Sequence, residues 1–187
     1  MICYIVLAAG KSVRMKSATP KILFPLLGKP LLQYVLDALP ANQKDIFIVS
    51  NVPYADYQCI PQSEPLGTGH AVLEALRHIP KHYTECVVVC GDTPLLTPET
   101  IEELAHATTD IVLTGFSITD LSQPYGRLVN DGETIVEYKE ASPKEKIIPY
   151  VYAGVMKIKR HILDETLPRL MLLILNLYLM KKQKSHS

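Results

Sequence analysis

Three side chains in this sequence, Arg14, Lys21 and Asp92, lie beside glycine-containing segments and have the charges that phosphate chemistry requires. Leu7-Ala8-Ala9-Gly10-Lys11-Ser12-Val13-Arg14-Met15 follows an apolar run, Ile2 to Leu7, with Pro20-Lys21 close behind. Small residues and glycine at a strand end let backbone approach a ligand and leave N–H groups for phosphate oxygens. Arg14 and Lys21 add two cations suited to negative charge building on a phosphoryl group. Asp92, in Cys90-Gly91-Asp92-Thr93-Pro94, could hold hydrated Mg²⁺ through one oxygen while phosphates supply the remaining ligands. Each has a plainer alternative: a tight strand-to-helix connection for the first loop, and a turn or cap for Asp92.

Two better-known motifs are excluded. Gly10-Lys11-Ser12 imitates the end of a P-loop, but Ile5 stands where that motif needs its first glycine. Gly67-Thr68-Gly69 begins a dinucleotide fingerprint, but Val72 occupies the third glycine position. Gln62-Ser63-Glu64-Pro65-Leu66-Gly67-Thr68-Gly69-His70-Ala71 is a second specific segment. Gln62 offers a paired donor and acceptor, which suits a pyrimidine edge, and Gly67 permits close approach of a flat ring. The alternative is a glycine-rich helix start with Gln62 solvated. His70 reads as a first-turn helix residue rather than a catalytic base. No Ser-His-Asp or Cys-His set stands out, and phosphoryl-type transfer needs none, depending instead on positioning and charge stabilisation. Glu137 and Lys139 alternate on one strand face, which alone reads as a solvated hairpin face.

These candidates need a scaffold, and the totals allow one. At 187 residues, with 48% apolar and 20% charged residues, the chain fits one globular domain with a substantial core. Nineteen basic residues balance nineteen acidic ones without a basic stripe, which argues against a nucleic-acid partner. Cys3, Cys59, Cys86 and Cys90 show no zinc spacing and read as small apolar groups in a reducing compartment. Ile2–Leu7 lacks the basic flank and cleavage site of a signal peptide, so the default location is the cytoplasm.

Apolar runs alternate with helical patterns. Strands are expected at Ile2–Leu7, Asp45–Ser50, Cys86–Cys90, Asp110–Ile118 and Tyr150–Lys159. Helices are expected at Pro30–Leu39, at Gly69–Ile79, after the Thr97-Pro98-Glu99 start, and at His161–Leu167, where Pro168 should interrupt. Gly126–Val129 and Thr134–Lys139, joined through Asn130-Asp131-Gly132, read as a hairpin. The rhythm predicts an α/β fold: a Rossmann-like, mostly parallel sheet with helices on both faces, plus a hairpin region. Ligands of such sheets bind beyond the carboxyl ends of the strands, where Gly10–Lys21 and Gly91-Asp92 fall.

Taken in order, these segments resemble the uridyltransferase domain of the bacterial bifunctional N-acetylglucosamine-1-phosphate uridyltransferase/glucosamine-1-phosphate acetyltransferases, within the sugar-1-phosphate nucleotidyltransferases. The likeness runs from about Ile2 to Leu167. Leu-Ala-Ala-Gly and Gly-Asp occur across many nucleotidyltransferases. Gln62 with Leu66–Ala71, then Tyr125-Gly126-Arg127 and Val136-Glu137-Tyr138-Lys139-Glu140-Ala141, is more particular. The resemblance implies that Leu7, Ala8, Ala9, Gly10 and Gly91 line the nucleotide, with Gln62, Gly67 and Thr68 around uracil. It implies that Arg14 and Lys21 contact phosphates, Asp92 holds Mg²⁺, and Gly126, Glu137 and the Tyr152–Gly154 segment face the sugar. The implied reaction joins UTP and N-acetylglucosamine-1-phosphate into UDP-N-acetylglucosamine and pyrophosphate by in-line attack, without a covalent enzyme intermediate.

The chain departs from that pattern. Ser12 and Val13 replace glycine and threonine, and Tyr152-Ala153-Gly154 stands where the family has Asn-Thr-Gly. The short repeats of the family's β-helix domain are not among these 187 residues, so its trimer is not carried over as an expectation. The nucleotidyltransferase region is expected to span 1–170, incomplete at its end, followed by an apolar and basic tail, 171–187. The apolar run of about ten residues is short of the ~20 needed to span a membrane, so no integral membrane segment is expected. An interfacial anchor and a reading-frame change after Leu170 are the two readings of that tail, the second preferred. The alternatives to an active uridyltransferase are a degenerate remnant with little turnover and an enzyme of different nucleotide or sugar-phosphate specificity.

Overall fold

Ile2–Leu7 (β1) is apolar on both of its alternating faces, as a strand covered on both sides must be. The computed structural model describes residues 1–10, 15, 17, 19–40, 42–64, 66–119, 127–130, 135–139 and 150–171, and β1 lies inside its main sheet. A short turn at Lys21–Leu23 leads into a small hairpin, Pro25–Leu26 (β2) and Lys29–Pro30 (β3). Then come Leu31–Asp37 (α1), Ile46–Val49 (β4), Gln58–Ile60 (β5), Thr68–His78 (α2), Glu85–Cys90 (β6) and Pro98–His106 (α3). Ile111–Ser117 (β7), Arg127–Asn130 (β8), Ile135–Lys139 (β9), Tyr150–Lys159 (β10) and a helix over 160–171 (α4) complete the order.

The sheet order is β5-β4-β1-β6-β10-β8-β9, with β7 also paired to β10. The parallel expectation holds for β5, β4, β1 and β6; β10 then runs antiparallel to β6 and to β7 and β8. Cys3 and Ile5 face one layer with Phe47, Val49, Cys86 and Val88, covered by α2 and α4. Tyr4 and Val6 face the other with Ile46, Ile48, Val87 and Val89, covered by α1 and α3. Helices therefore cover both faces. Thr97 caps α3 by accepting from Thr100 N–H at 3.4 Å. All four cysteines are free; Cys3 and Cys86 are buried side by side on β1 and β6.

Two buried cations tie helices to the sheet. Lys157 Nζ donates to Ala105 O at 2.9 Å and Ala107 O at 2.7 Å at the end of α3, and pairs with Glu85 at 2.9 Å. Arg160 donates to Leu76 O and Ile79 O at the end of α2 and to Asp164. Carbonyls at a helix C-terminus have no partners within the helix, and a cation there also suits the helix dipole.

Pro168 does not interrupt the last helix, contrary to the local expectation. A proline inside a helix costs about 3 kcal/mol through a lost hydrogen bond and a ring clash. Leu163, Leu167 and Met171, at four-residue spacing, are buried, and each contributes roughly 1.5–3 kcal/mol, which outweighs that cost. Pro168 itself is exposed. The tail from 172 onward lies outside the described residues, as does the 131–134 turn of the β8–β9 hairpin. No described helix is long and apolar enough to cross a membrane.

Candidate active site

The carboxyl ends of the parallel strands bring the sequence candidates to one edge of the sheet. Leu7 lies opposite Val49 of β4 and Cys90 of β6. Beyond it, Ala8 N–H donates to Val49 O at 2.8 Å and Gly91 N–H to Leu7 O at 2.9 Å, so the chain after β1 leaves between its two neighbours. Ala8 is buried while Gly10 is exposed at the rim.

Gly91 is the tightest point. A Cβ there would lie 3.1 Å from Leu7 O and 3.3 Å from both Ala8 Cβ and Leu32 Cδ1. Gly91→Ala should therefore push the two loops apart. The expected cost is about 1–3 kcal/mol, read as a melting temperature lower by roughly 2–10 °C, with a parallel loss of activity. An unchanged melting temperature would show that the Leu7 backbone yields freely.

Lys21 and Asp92 meet across 71 positions of sequence, with Lys21 Nζ 2.6 Å from Asp92 Oδ2. Ile22, buried beside α1, anchors the Lys21 turn, which is closed by Leu23 N–H to Pro20 O and Phe24 N–H to Lys21 O. Both charged side chains are 40% exposed, so the pair lies within reach of a solvent-borne ligand. Burial pushes the neighbouring Cys90 thiol up to about 11, with the Asp92 carboxylate adding to the shift; it is a thiol, not a thiolate, at neutral pH.

Gly154 brings β10 to the same place. It has φ +83, and a Cβ there would lie 3.4 Å from Cys90 and from Thr93 Cγ2. The pairing of β10 with β7 shifts between Tyr152 and Met156, a bulge that sets Tyr152 opposite Gly115.

Gln62 occupies the other end of the edge, beyond β5. Its backbone N–H donates to Asn51 Oδ1 at 2.9 Å. Its side-chain Nε2 donates to Gly67 O at 3.0 Å and lies 3.2 Å from His70 Nδ1. Gln62 is buried, at 7% exposure, rather than solvated. The structure therefore differs from the expected paired donor and acceptor: both side-chain N–H groups are committed internally, and the oxygen remains. Gly67, at φ 103 and ψ 179, occupies a backbone region open essentially to glycine alone, and caps α2. Thr68 begins that helix and is exposed.

Lys21, Asp92 and Gly91 are thus drawn together with Gly154, and Gly10 lies two residues beyond Ala8, exposed and with open space where a Cβ would stand. Gln62 and Gly67 stand two strands away from β1 along the same edge. Arg14, Ser12, Val13 and Gly126 lie outside the described residues, and Glu137 is placed only as a residue of β9. Asn51 and the His70–Glu74 contact were missed; the four-residue spacing of His70 and Glu74 was the available signal.

The MobA-like NTP transferase domain family matches residues 4–122, from within β1 through β7, including both carboxyl-end loops. The chain belongs to this family. The chain is also similar to three proteins called bifunctional protein GlmU. The chain is 36% identical to that of Alcanivorax borkumensis over 184 residues, covering 90% of this chain and 40% of that one. It is 36% identical to that of Desulfotalea psychrophila, covering 90% of this chain and 55% of the relative. It is 40% identical to that of Sinorhizobium fredii, covering 82% and 38%. The chain thus spans about half or less of the length of these relatives. A solved structure from Bacillus anthracis, described as a glucose-1-phosphate thymidylyltransferase in complex with a sucrose, shares the fold. Its TM-score is 0.65 at 17% identity, covering 88% of this chain and 74% of that one. The family match makes the chain an NTP transferase domain, and the solved neighbour shares its fold.

Proposed function

We propose that the domain transfers a uridylyl group from UTP to N-acetylglucosamine-1-phosphate, releasing pyrophosphate and forming UDP-N-acetylglucosamine. The observation that carries this reading is the meeting of Lys21 with Asp92, next in the chain to Gly91 packed on the end of β1, which sets a cation and an exposed carboxylate where phosphates and a metal ion would bind.

The donor set fits Mg²⁺. Asp92 is one exposed carboxylate, and among the described residues no three acidic, histidine or cysteine side chains form a cage. Mg²⁺ is characteristically held by one or two carboxylates with substrate phosphates and water. Bound there, it would supply charge neutralisation at the phosphates. Leu7–Gly10 would line the nucleotide, and Gly67 would admit the flat base. A sugar-phosphate oxygen attacks the α-phosphorus, its new P–O bond forming as the bond to pyrophosphate breaks in line. Lys21 compensates the charge that builds on the phosphate oxygens, a role proposed for Arg14 as well. The Gly154 bulge, with Tyr152, would face the sugar together with Gly126 and Glu137.

Incubating the purified chain with UTP, N-acetylglucosamine-1-phosphate and Mg²⁺ should release pyrophosphate in step with the nucleotide sugar. A folded, monodisperse sample releasing none would overturn the reading. Tyr152, on the bulge beside Gly154, favours a second reading in which the acceptor is another sugar phosphate. Release with a different sugar-1-phosphate but not with N-acetylglucosamine-1-phosphate would select it.

A further inference from the structure

We propose that His70 is a positioning residue that locks the Gln62 amide so that only its oxygen is left to meet a nucleobase. The inference rests on the nucleotide-site reading above and goes beyond it to how the base is selected.

The tautomer follows from donor logic. Gly67 O can only accept, so the Gln62 atom 3.0 Å from it must be the amide nitrogen. That nitrogen only donates, and it lies 3.2 Å from His70 Nδ1, so Nδ1 must accept and carry no proton. The neutral ring then bears its proton on Nε2, which lies 3.3 Å from Glu74 Oε1. Glu74 is held in turn by Arg77, one turn further along α2. Turning the amide over would set its oxygen against Gly67 O, and a protonated Nδ1 would point its N–H at the Gln62 amide N–H. The chain Glu74–His70–Gln62–Gly67 thus has one self-consistent arrangement, in a region where Gln62 is 7% and His70 9% exposed.

The consequence is selective. With both N–H groups committed, Gln62 accepts only. A base that turns its N3 position to this oxygen finds a partner if it carries a ring N–H there, as uracil and thymine do; the bare N3 of cytosine meets lone pair against lone pair, and cytosine must shift to offer its N4 amine instead. Buried polar groups left unpaired discriminate strongly.

His70→Phe keeps a flat ring but removes the acceptor, freeing Gln62 to turn over. The expected result is a preference for UTP over CTP, measured by calorimetric binding with Mg²⁺, that falls about tenfold or more. His70→Asn, whose Oδ1 can replace Nδ1 as acceptor, should restore most of that preference. In the wild-type chain, ¹⁵N spectra of His70 should show Nδ1 unprotonated and Nε2 protonated, a readout that does not depend on either variant folding. The opposite tautomer or a cationic ring at neutral pH would overturn the proposal. So would an unchanged preference in a folded His70→Phe, or a His70→Asn as impaired as His70→Phe. No UTP binding by the wild-type chain would instead overturn the nucleotide-site reading itself.

Discussion

Asp92→Asn is expected to lower Mg²⁺-dependent pyrophosphate release by about 10²–10³-fold, while its unfolding free energy stays within about 1 kcal/mol of wild type. The two halves have different causes. The amide has nearly the same shape but no charge to offer a divalent cation, and Lys21 loses the carboxylate 2.6 Å away. Stability is nearly untouched because both partners are 40% exposed, and exposed ion pairs contribute little against hydration. Lys21→Met should cost activity by a similar factor, and the double variant should lose far less than the product of the two, because the groups act as a unit. Pyrophosphate release within tenfold of wild type in Asp92→Asn, at the same Mg²⁺ dependence, would remove Asp92 from the metal site.

Lys157→Met should give the largest loss of stability, about 3 kcal/mol, lowering the melting temperature by roughly 6–12 °C. Methionine can replace the apolar stem of the side chain but brings no donor. The Ala105 and Ala107 carbonyls and the Glu85 carboxylate would all lose the ammonium that now lies within 3 Å of each. Lys157 is 3% exposed, so this loss occurs away from water, while Glu85 at 27% can rehydrate in part and holds the cost near the lower end. Denaturant unfolding followed by circular dichroism measures it. A midpoint equal to wild type would mean that water enters and serves all three oxygens.

The elements were legible to different degrees. β1 matches its expected span residue for residue because six consecutive apolar side chains suit only a strand covered on both faces. The α3 start is equally local: Thr97 caps and Pro98 opens the helix. The hairpin of β2 and β3 went unread. Its turn sets Leu27 at φ 49 and Gly28 at φ 84, and leucine is an uncommon residue there. Gln58–Ile60 was likewise missed, since three residues give no period to count and its strand character comes from pairing with Phe47–Val49. Pro168 read as a stop because local rules contain its penalty but not the buried stripe of Leu163, Leu167 and Met171.

By itself, the sequence determined the order of the longer strands and helices, the two-sided burial of β1, β4 and β6, and the carboxyl-end loops proposed for phosphate chemistry. These properties arise from neighbours a few residues apart, through side-chain period, caps and glycine placement. Only the tertiary structure decided that Lys21 reaches Asp92, that Gly91 leaves little room for even a methyl group, and that Gln62 has spent its donors on Gly67 and His70. Those outcomes depend on contacts between segments far apart in the chain, and on which hydrogen-bond partners remain once the core has closed. Neither is contained in local pattern.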